Sequence, residues 1–188
     1  MDGERLELVA PATHWETAYL AFLDDFETAG EQRIPGASGA ALARADFAAF
    51  LQRLQDDERG EGLKPGIVAS SAYWLLRHDV GGVTILGVSA LRHALTPALE
   101  EAGGHIGYSI RPSERRRGYG TRILALTLPY ARALGLDRAL VTCDTDNIGS
   151  ARVIENNGGV LASEGYSALV DARISRYWIT LSSRSGVG

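Results

Sequence analysis

The sequence is poor in cysteine, proline and long apolar runs, and each shortage excludes a class. One cysteine, Cys143, among 188 residues rules out a disulfide framework and a Cys-rich zinc site. The four histidines, His14, His78, His93 and His105, show no metal-ligand spacing, so no metal is expected. No apolar run approaches the ~20 residues that span a bilayer, so no membrane partner is expected. The start, MDGERLELVA, is acidic and too poor in apolar residues for a signal peptide. Six prolines and 22 glycines in a chain that is 45% hydrophobic and 22% charged exclude collagen-like, coiled-coil and disordered classes. A single cytoplasmic domain over residues 1–188 is the expectation.

The formal net charge is −4, but its placement matters more than its total. RPSERRRGYGTR, residues 111–122, holds five arginines against one glutamate. A nucleic-acid binder spreads basic charge over a face, so no nucleic-acid partner is expected. One basic spot on an acidic body suits a small, highly anionic ligand, with a solvated surface loop as the plain alternative.

Periodicity predicts a short strand at Leu6 and Leu8, then a helix opened by a Thr13–Glu16 capping box. Trp15, Tyr19, Phe22 and Phe26 recur along that helix until Gly30. After the loop GEQRIPGASG, a second helix carries Phe47, Phe50, Leu51 and Leu54, and the loop DDERGEGLKPG follows. SAYWLLRH and TILGVSALRH form a hairpin through DVGG, and Leu95 to Glu101 connects to the strand GGHIGYSIRP. A helix from Thr121 to Leu134 contains Pro129, which is expected to kink or shorten it. RALVTCD reads as a strand buried on both faces, SARVIENNG as a short helix, and GVLASEGY and RISRYWITL as closing strands. The order implies an α/β (α+β) fold, a mixed sheet with helices on its faces.

The chemistry centres on strand, then Arg115-Arg116-Arg117-Gly118-Tyr119-Gly120, then helix. Glycines allow close backbone approach, and a helix N-terminus presents free N–H groups and a positive dipole end. With the arginines, this is a pyrophosphate cradle; a glycine turn serving packing alone is the alternative. The Walker pattern is absent. A dinucleotide fold is disfavoured because Ile123 occupies the third glycine position and only 68 residues follow Gly120.

Arg115, Gly118 and Gly120 match the [RQ]-x-x-G-x-[GA] turn of the GNAT acyl-CoA N-acyltransferases, which this sequence resembles. Ile110-x-Pro112 fits the strand ending before that turn. Asn147-x-x-Ser150 and VIENNGG look like the family's next helix, in the branch acetylating protein N-termini. The likeness covers residues 70–180 best. It implies a mostly antiparallel central sheet with helices on both faces, acetyl-CoA as donor, and a small-molecule or peptide amine as acceptor. Direct transfer in a ternary complex is implied, and the fold leaves room for a homodimer. By the resemblance, pantetheine pairs near Ser109 and Ile110 in a gap between the GGHIGYSIRP and RALVTCD strands. The pyrophosphate rests on the N–H groups of Arg117 to Thr121, with Arg115, Arg116, Gly118, Tyr119 and Gly120 completing the cradle. Asn147 holds the pantetheine and Ser150 points to the sulfur.

His105 is the first choice of base because imidazole titrates near neutrality and shares a strand face with Gly107 and Ser109. A structural histidine is the alternative, and Glu100, Glu101 and Asp144 are rival bases. The family's proton-donating tyrosine, seven residues after the helix asparagine, is Ile154 here; Ser150 or water would take its place. Cys143, Tyr73, Trp74 and Trp178 read as core or pocket wall. Asp24, Asp25, Glu27 and Glu31 beside the Gly30–Gly39 loop could attract a cationic amine. The competing function is a non-catalytic acyl-CoA-binding or regulatory module on the same fold.

Overall fold

A computed structural model describes residues 5–31 and 33–181; residues 1–4, at the acidic start, and Gln32 in the first loop lie outside that description. The first strand, β1 (Leu6–Val9), leads through a 3-10 turn at Thr13–Trp15 into α1 (Glu16–Thr28). The capping box does not form. Thr13 lies inside the 3-10 turn, and neither cap of this segment uses a side chain. A helix unforeseen from the sequence, α2 (Ala40–Ala45), precedes α3 (Phe47–Arg59); Asp46 divides them and caps α3 by accepting from the Ala49 N–H at 2.9 Å.

The hairpin is β2 (Ser70–Asp79) and β3 (Gly82–Arg92). The link after it contains a short helix, α4 (Pro97–Glu101), capped by Thr96. Then follow β4 (Ile106–Ile110), α5 (Tyr119–Ala133), β5 (Arg138–Asp144), α6 (Ile148–Glu155), β6 (Gly159–Ser167) and β7 (Ala172–Thr180). α5 runs on through Pro129 without ending there.

All paired strands are antiparallel: β1-β2-β3-β4 form one sheet and β5-β7-β6 another. Helices cover both faces. On one, Tyr19, Phe22, Phe26, Phe47 and Phe50 pack on Trp74, Leu76 and Ile85. On the other, Leu124, Ala131 and Ile154 from α5 and α6 pack on Ile106, Ala139 and Val141. These apolar faces carry most of the fold's driving force. Among the described residues no helix is long and apolar enough to cross a membrane.

The two sheets meet where β4 and β5 begin. The His105 N–H donates to the Leu140 carbonyl at 2.7 Å, and the Leu140 N–H donates to His105 Nδ1 at 2.9 Å. The Gly103 N–H adds a bond to Thr142 Oγ1 at 2.9 Å. Beyond this point the strands form no ladder. Close approach is possible because residue 104 is glycine, at φ 62°, where a Cβ would overlap the Leu140 carbonyl. Gly104→Ala should therefore cost about 3 kcal/mol, adding left-handed strain to a backbone clash, and lower Tm by roughly 10 °C in a chain of this size. Gly135→Ala, at φ 82° with open space around it, should cost only about 1 kcal/mol. Thermal melts compare them, and equal losses would refute the clamp.

Candidate active site

The cavity begins at the start of α5. Its N-cap, Gly118, sits at φ 85° and offers no side-chain cap. The first intrahelical bond there is Arg122 N–H to the Gly118 carbonyl, so the N–H groups of the first turn point out of the helix end. Gly120 keeps this turn close to α6: a Cβ there would lie 2.9 Å from Val153 Cγ2.

From this turn a cavity of about 530 Å³ runs past Ile110 to Tyr108, Asn147 and Ser150. Its side wall is the outer edge of β4. The bonds Arg92 N–H to His105 O and Arg111 N–H to Leu86 O bracket the β3–β4 ladder. Antiparallel alternation then turns the main chain of Gly107 and Ser109 toward β3, and that of Ile106, Tyr108 and Ile110 toward the gap before β5. Ile110 is thus where the sequence placed the open edge. Ser109 is not: its peptide faces β3, and its hydroxyl donates to the Pro35 carbonyl at 2.7 Å. Tyr108 carries the other half of that edge.

The arginines divide into distinct roles. Arg115 lines the cavity but is held by Glu31 in a two-pronged pair at 2.6 and 2.7 Å, with Nε on the Ile110 carbonyl. That pairing holds the Glu31 carboxyl below its usual range. Arg117 is not on the cavity wall but pairs at 2.9 Å with Glu114, which is. Glu114 also meets Arg77 at 3.2 Å. Arg116, at φ 63°, lines the cavity with no carboxylate partner among the described residues. A non-glycine residue in this region stores strain, as ligand clamps do. Arg33, from the first loop, lines the cavity likewise without a carboxylate partner among the described residues.

The acidic residues beside the first loop do not form an open patch. Asp24 and Glu27 hold Arg44, at 2.8 and 3.2 Å. Asp25 accepts from the Ser113 N–H at 2.9 Å and meets Arg111 at 3.5 Å. Partial burial raises its carboxyl pKa, but these bonds outweigh that and leave it lowered.

At the far end of the cavity, Asn147 Oδ1 accepts from the Ser150 N–H at 3.0 Å and caps α6. Ser150 Oγ lies 2.8 Å from the Tyr108 hydroxyl. Burial pushes that phenol up to about 12 and the Cys143 thiol up to about 11, so both stay protonated and Cys143 is no nucleophile. His105 is not brought to this end. It is buried, 6% exposed, beside Trp178, and outside the cavity wall. With Nδ1 accepting from Leu140, its proton is assigned to Nε2, so the ring has no lone pair left to act as a base. Its imidazole works as a strand clamp.

A model of the acetyltransferase (GNAT) domain matches residues 5–160. No curated protein sequence matches the chain. Among solved structures, a ribosomal-protein-S5-alanine acetyltransferase from Vibrio fischeri aligns with 97% of each chain at 15% identity and a TM-score of 0.71. The microcin C7 self-immunity acetyltransferase MccE, solved with acetyl-CoA and AMP, aligns over 95% of this chain and 93% of that one, at 15% identity and a TM-score of 0.65. RimL, a ribosomal L7/L12 α-N-protein acetyltransferase solved with coenzyme A, aligns over 93% of each at 19% identity and a TM-score of 0.65. At these identities the likeness is one of fold.

The pairings can be tested one at a time. Glu31→Gln releases Arg115 toward the cavity, and binding of a polyphosphate ligand by calorimetry should tighten severalfold; unchanged affinity would show that Arg115 plays no part. Burial, and then the charge of Arg92, push the His105 imidazole below 6.5. A depressed folded-state value means the folded protein binds fewer protons, so the contribution is whole above the unfolded value and fades as pH falls below it. In His105→Asn the side-chain amide oxygen would accept from the Leu140 N–H without titrating. Urea midpoints from pH 7.5 to 5 should therefore fall more for the wild type than for His105→Asn, and parallel slopes would overturn the assignment.

Proposed function

The chain belongs to the GNAT acetyltransferase family, and from that premise we propose that it moves an acetyl group from acetyl-CoA to a primary amine by direct transfer within a ternary complex. One observation carries the reading. A single cavity joins a helix start suited to a pyrophosphate, an open strand edge suited to amides, and a hydroxyl pair at its end.

The fit of donor to wall is chemical. The first-turn N–H groups of α5 and the Arg116 guanidinium would take the pyrophosphate. The outward main-chain groups of Tyr108 and the Ile110 N–H would take the amides of pantetheine, as an edge strand takes a peptide, while the Ile110 carbonyl accepts from Arg115 Nε. Asn147, whose amide nitrogen is not used by the α6 cap, would hold the same arm from the opposite wall. The donor supplies an acetyl thioester whose carbonyl carbon is open to attack by a neutral amine. The chain's own work is to fix that carbonyl and exclude water along the arm.

The acceptor reading is a primary amine, with the α-amine of a protein N-terminus favoured. One structural neighbour is named an α-N-protein acetyltransferase and another a ribosomal-protein-S5-alanine acetyltransferase. An α-amine has a pKa of about 8, against about 10.4 for lysine, so it offers a far larger neutral fraction near pH 7.5. This suits a site in which the His105 ring is committed to Leu140. Ser150, on the cavity wall, remains a catalytic residue in this proposal.

Calorimetric titration with acetyl-CoA, beside NAD and ATP, is the first test. Selective micromolar binding is expected, followed by amine-dependent release of thiol, faster with a peptide α-amine than with a lysine side chain. Binding without turnover across the amine panel would favour a non-catalytic acyl-CoA-binding module; tighter binding of NAD or ATP would overturn the donor. Gly120→Glu should weaken acetyl-CoA binding at least about 100-fold, which is roughly 2.8 kcal/mol, with the fold retained by circular dichroism.

A further inference from the structure

In an acetyl transfer the departing sulfur accumulates negative charge and needs a donor. The helix position where relatives place a tyrosine is Ile154, fully buried in the core. The structure brings a different phenol to the same end of the cavity. Tyr108 leaves β4 on the side of α5 and α6, packing against the core cluster that includes Leu124 and Cys143. Its hydroxyl ends 2.8 Å from Ser150 Oγ, and both residues line the cavity. Asn147 fixes Ser150 by accepting from its N–H.

We propose that Tyr108 is a catalytic residue whose hydroxyl, paired with that of Ser150, donates a hydrogen bond to the sulfur as the carbon–sulfur bond breaks. The proposal rests on the acetyl-transfer reading above. Two hydroxyls carry two protons, and their mutual bond consumes one. When Ser150 donates, the Tyr108 O–H is left to point into the cavity; when Tyr108 donates, the Ser150 O–H is shared between the cavity and the Cys143 thiol beside it. The partner of the phenol can both give and take, and the pair ends where the donor arm ends.

The step balances without a redox partner. The amine lone pair forms the new carbon–nitrogen bond, the carbonyl π pair moves onto oxygen and returns, and the carbon–sulfur pair leaves on sulfur. The nitrogen sheds one proton to solvent and the sulfur takes one up from solvent, giving the amide and the free thiol. The phenol holds its proton more tightly than a thiol of pKa about 8.5. It therefore keeps that proton throughout the working pH range and acts by stabilising charge where charge develops.

The test reads the thiol of bound product as well as turnover. CoA is bound to the wild type, to Tyr108→Phe and to Ser150→Ala, and its thiolate is titrated by ultraviolet absorbance. The wild type should bind a thiol roughly tenfold more ionised than free CoA at a given pH, which is one pH unit in its midpoint. Tyr108→Phe, which keeps the ring and its packing, should return the midpoint toward that of free CoA. It should also lower kcat about 100-fold, in the range of a lost charge-stabilising donor, with the KM for acetyl-CoA within about twofold. Equal thiol midpoints in wild type and Tyr108→Phe, or an unchanged kcat, would overturn the proposal. If CoA binds and shows the shift but no amine is acetylated, the acetyl-transfer reading fails and Tyr108 stands as the donor to sulfur. If CoA does not bind at all, both fall.

Discussion

The site depends on a pairing that starts and stops. His105 and Leu140 exchange two hydrogen bonds, one through the main chain and one through the imidazole, and there the contact between the sheets ends. Had the ladder continued, the outer edge of β4 would be taken up by β5. Instead its alternate peptides face a gap, and unpaired peptide groups favour any ligand that brings amides of its own. The imidazole matters because it replaces a carbonyl. It satisfies the Leu140 N–H from a side chain, so β5 is tied to β4 at one point without being drawn alongside it. Gly104 permits the approach, since any side chain there would collide with the strand being tied.

Charge is confined in a similar way. The basic turn reads in sequence as a cationic pocket, but carboxylates, one distant in sequence and one within the turn, reach most of it. Glu31 holds Arg115 from the end of α1, and Glu114 sits between Arg77 and Arg117. Three arginines left unscreened in one turn would repel one another and the helix start. The pairs keep the turn folded, and among the described residues Arg116 of the turn and Arg33 of the first loop line the cavity without a carboxylate partner. The acidic residues near the first loop are engaged likewise by Arg44 and Arg111, which removes them as a lure for a cationic acceptor.

Much of the architecture was legible because it rests on local signals. Strand alternation located the hairpin and the closing strands, and glycines with arginines before a helix marked the cradle. α2 and α4 were missed because each is about one turn long, too short for a period to show. Thr13 and Glu16 had capping spacing, but the chain enters α1 through a 3-10 turn that leaves no cap position for Thr13. Pro129 looked disruptive, yet it removes one main-chain bond in a helix whose packed side, Ile123, Leu124, Thr127 and Ala131, holds it on both sides of the break. The functions of His105 and Tyr108 were not legible. Each is decided by a partner on another strand or helix, Leu140 for one and Ser150 for the other, and nothing local announces either.

This difference explains why counting along a motif finds no proton donor at position 154. Position 154 lies on α6, and its side chain points into the core between α5 and the second sheet. The cavity end is bounded by β4 and the start of α6, and a hydroxyl from either reaches the same few ångströms of space. A sequence pattern records which element supplied the group in relatives. Chemistry requires only that some O–H point at the sulfur. With isoleucine on the helix, the tyrosine comes from the strand that also offers its main chain to the donor arm. In the proposal above, one residue, Tyr108, couples grip on the arm, through its peptide, to stabilisation of the leaving group, through its phenol.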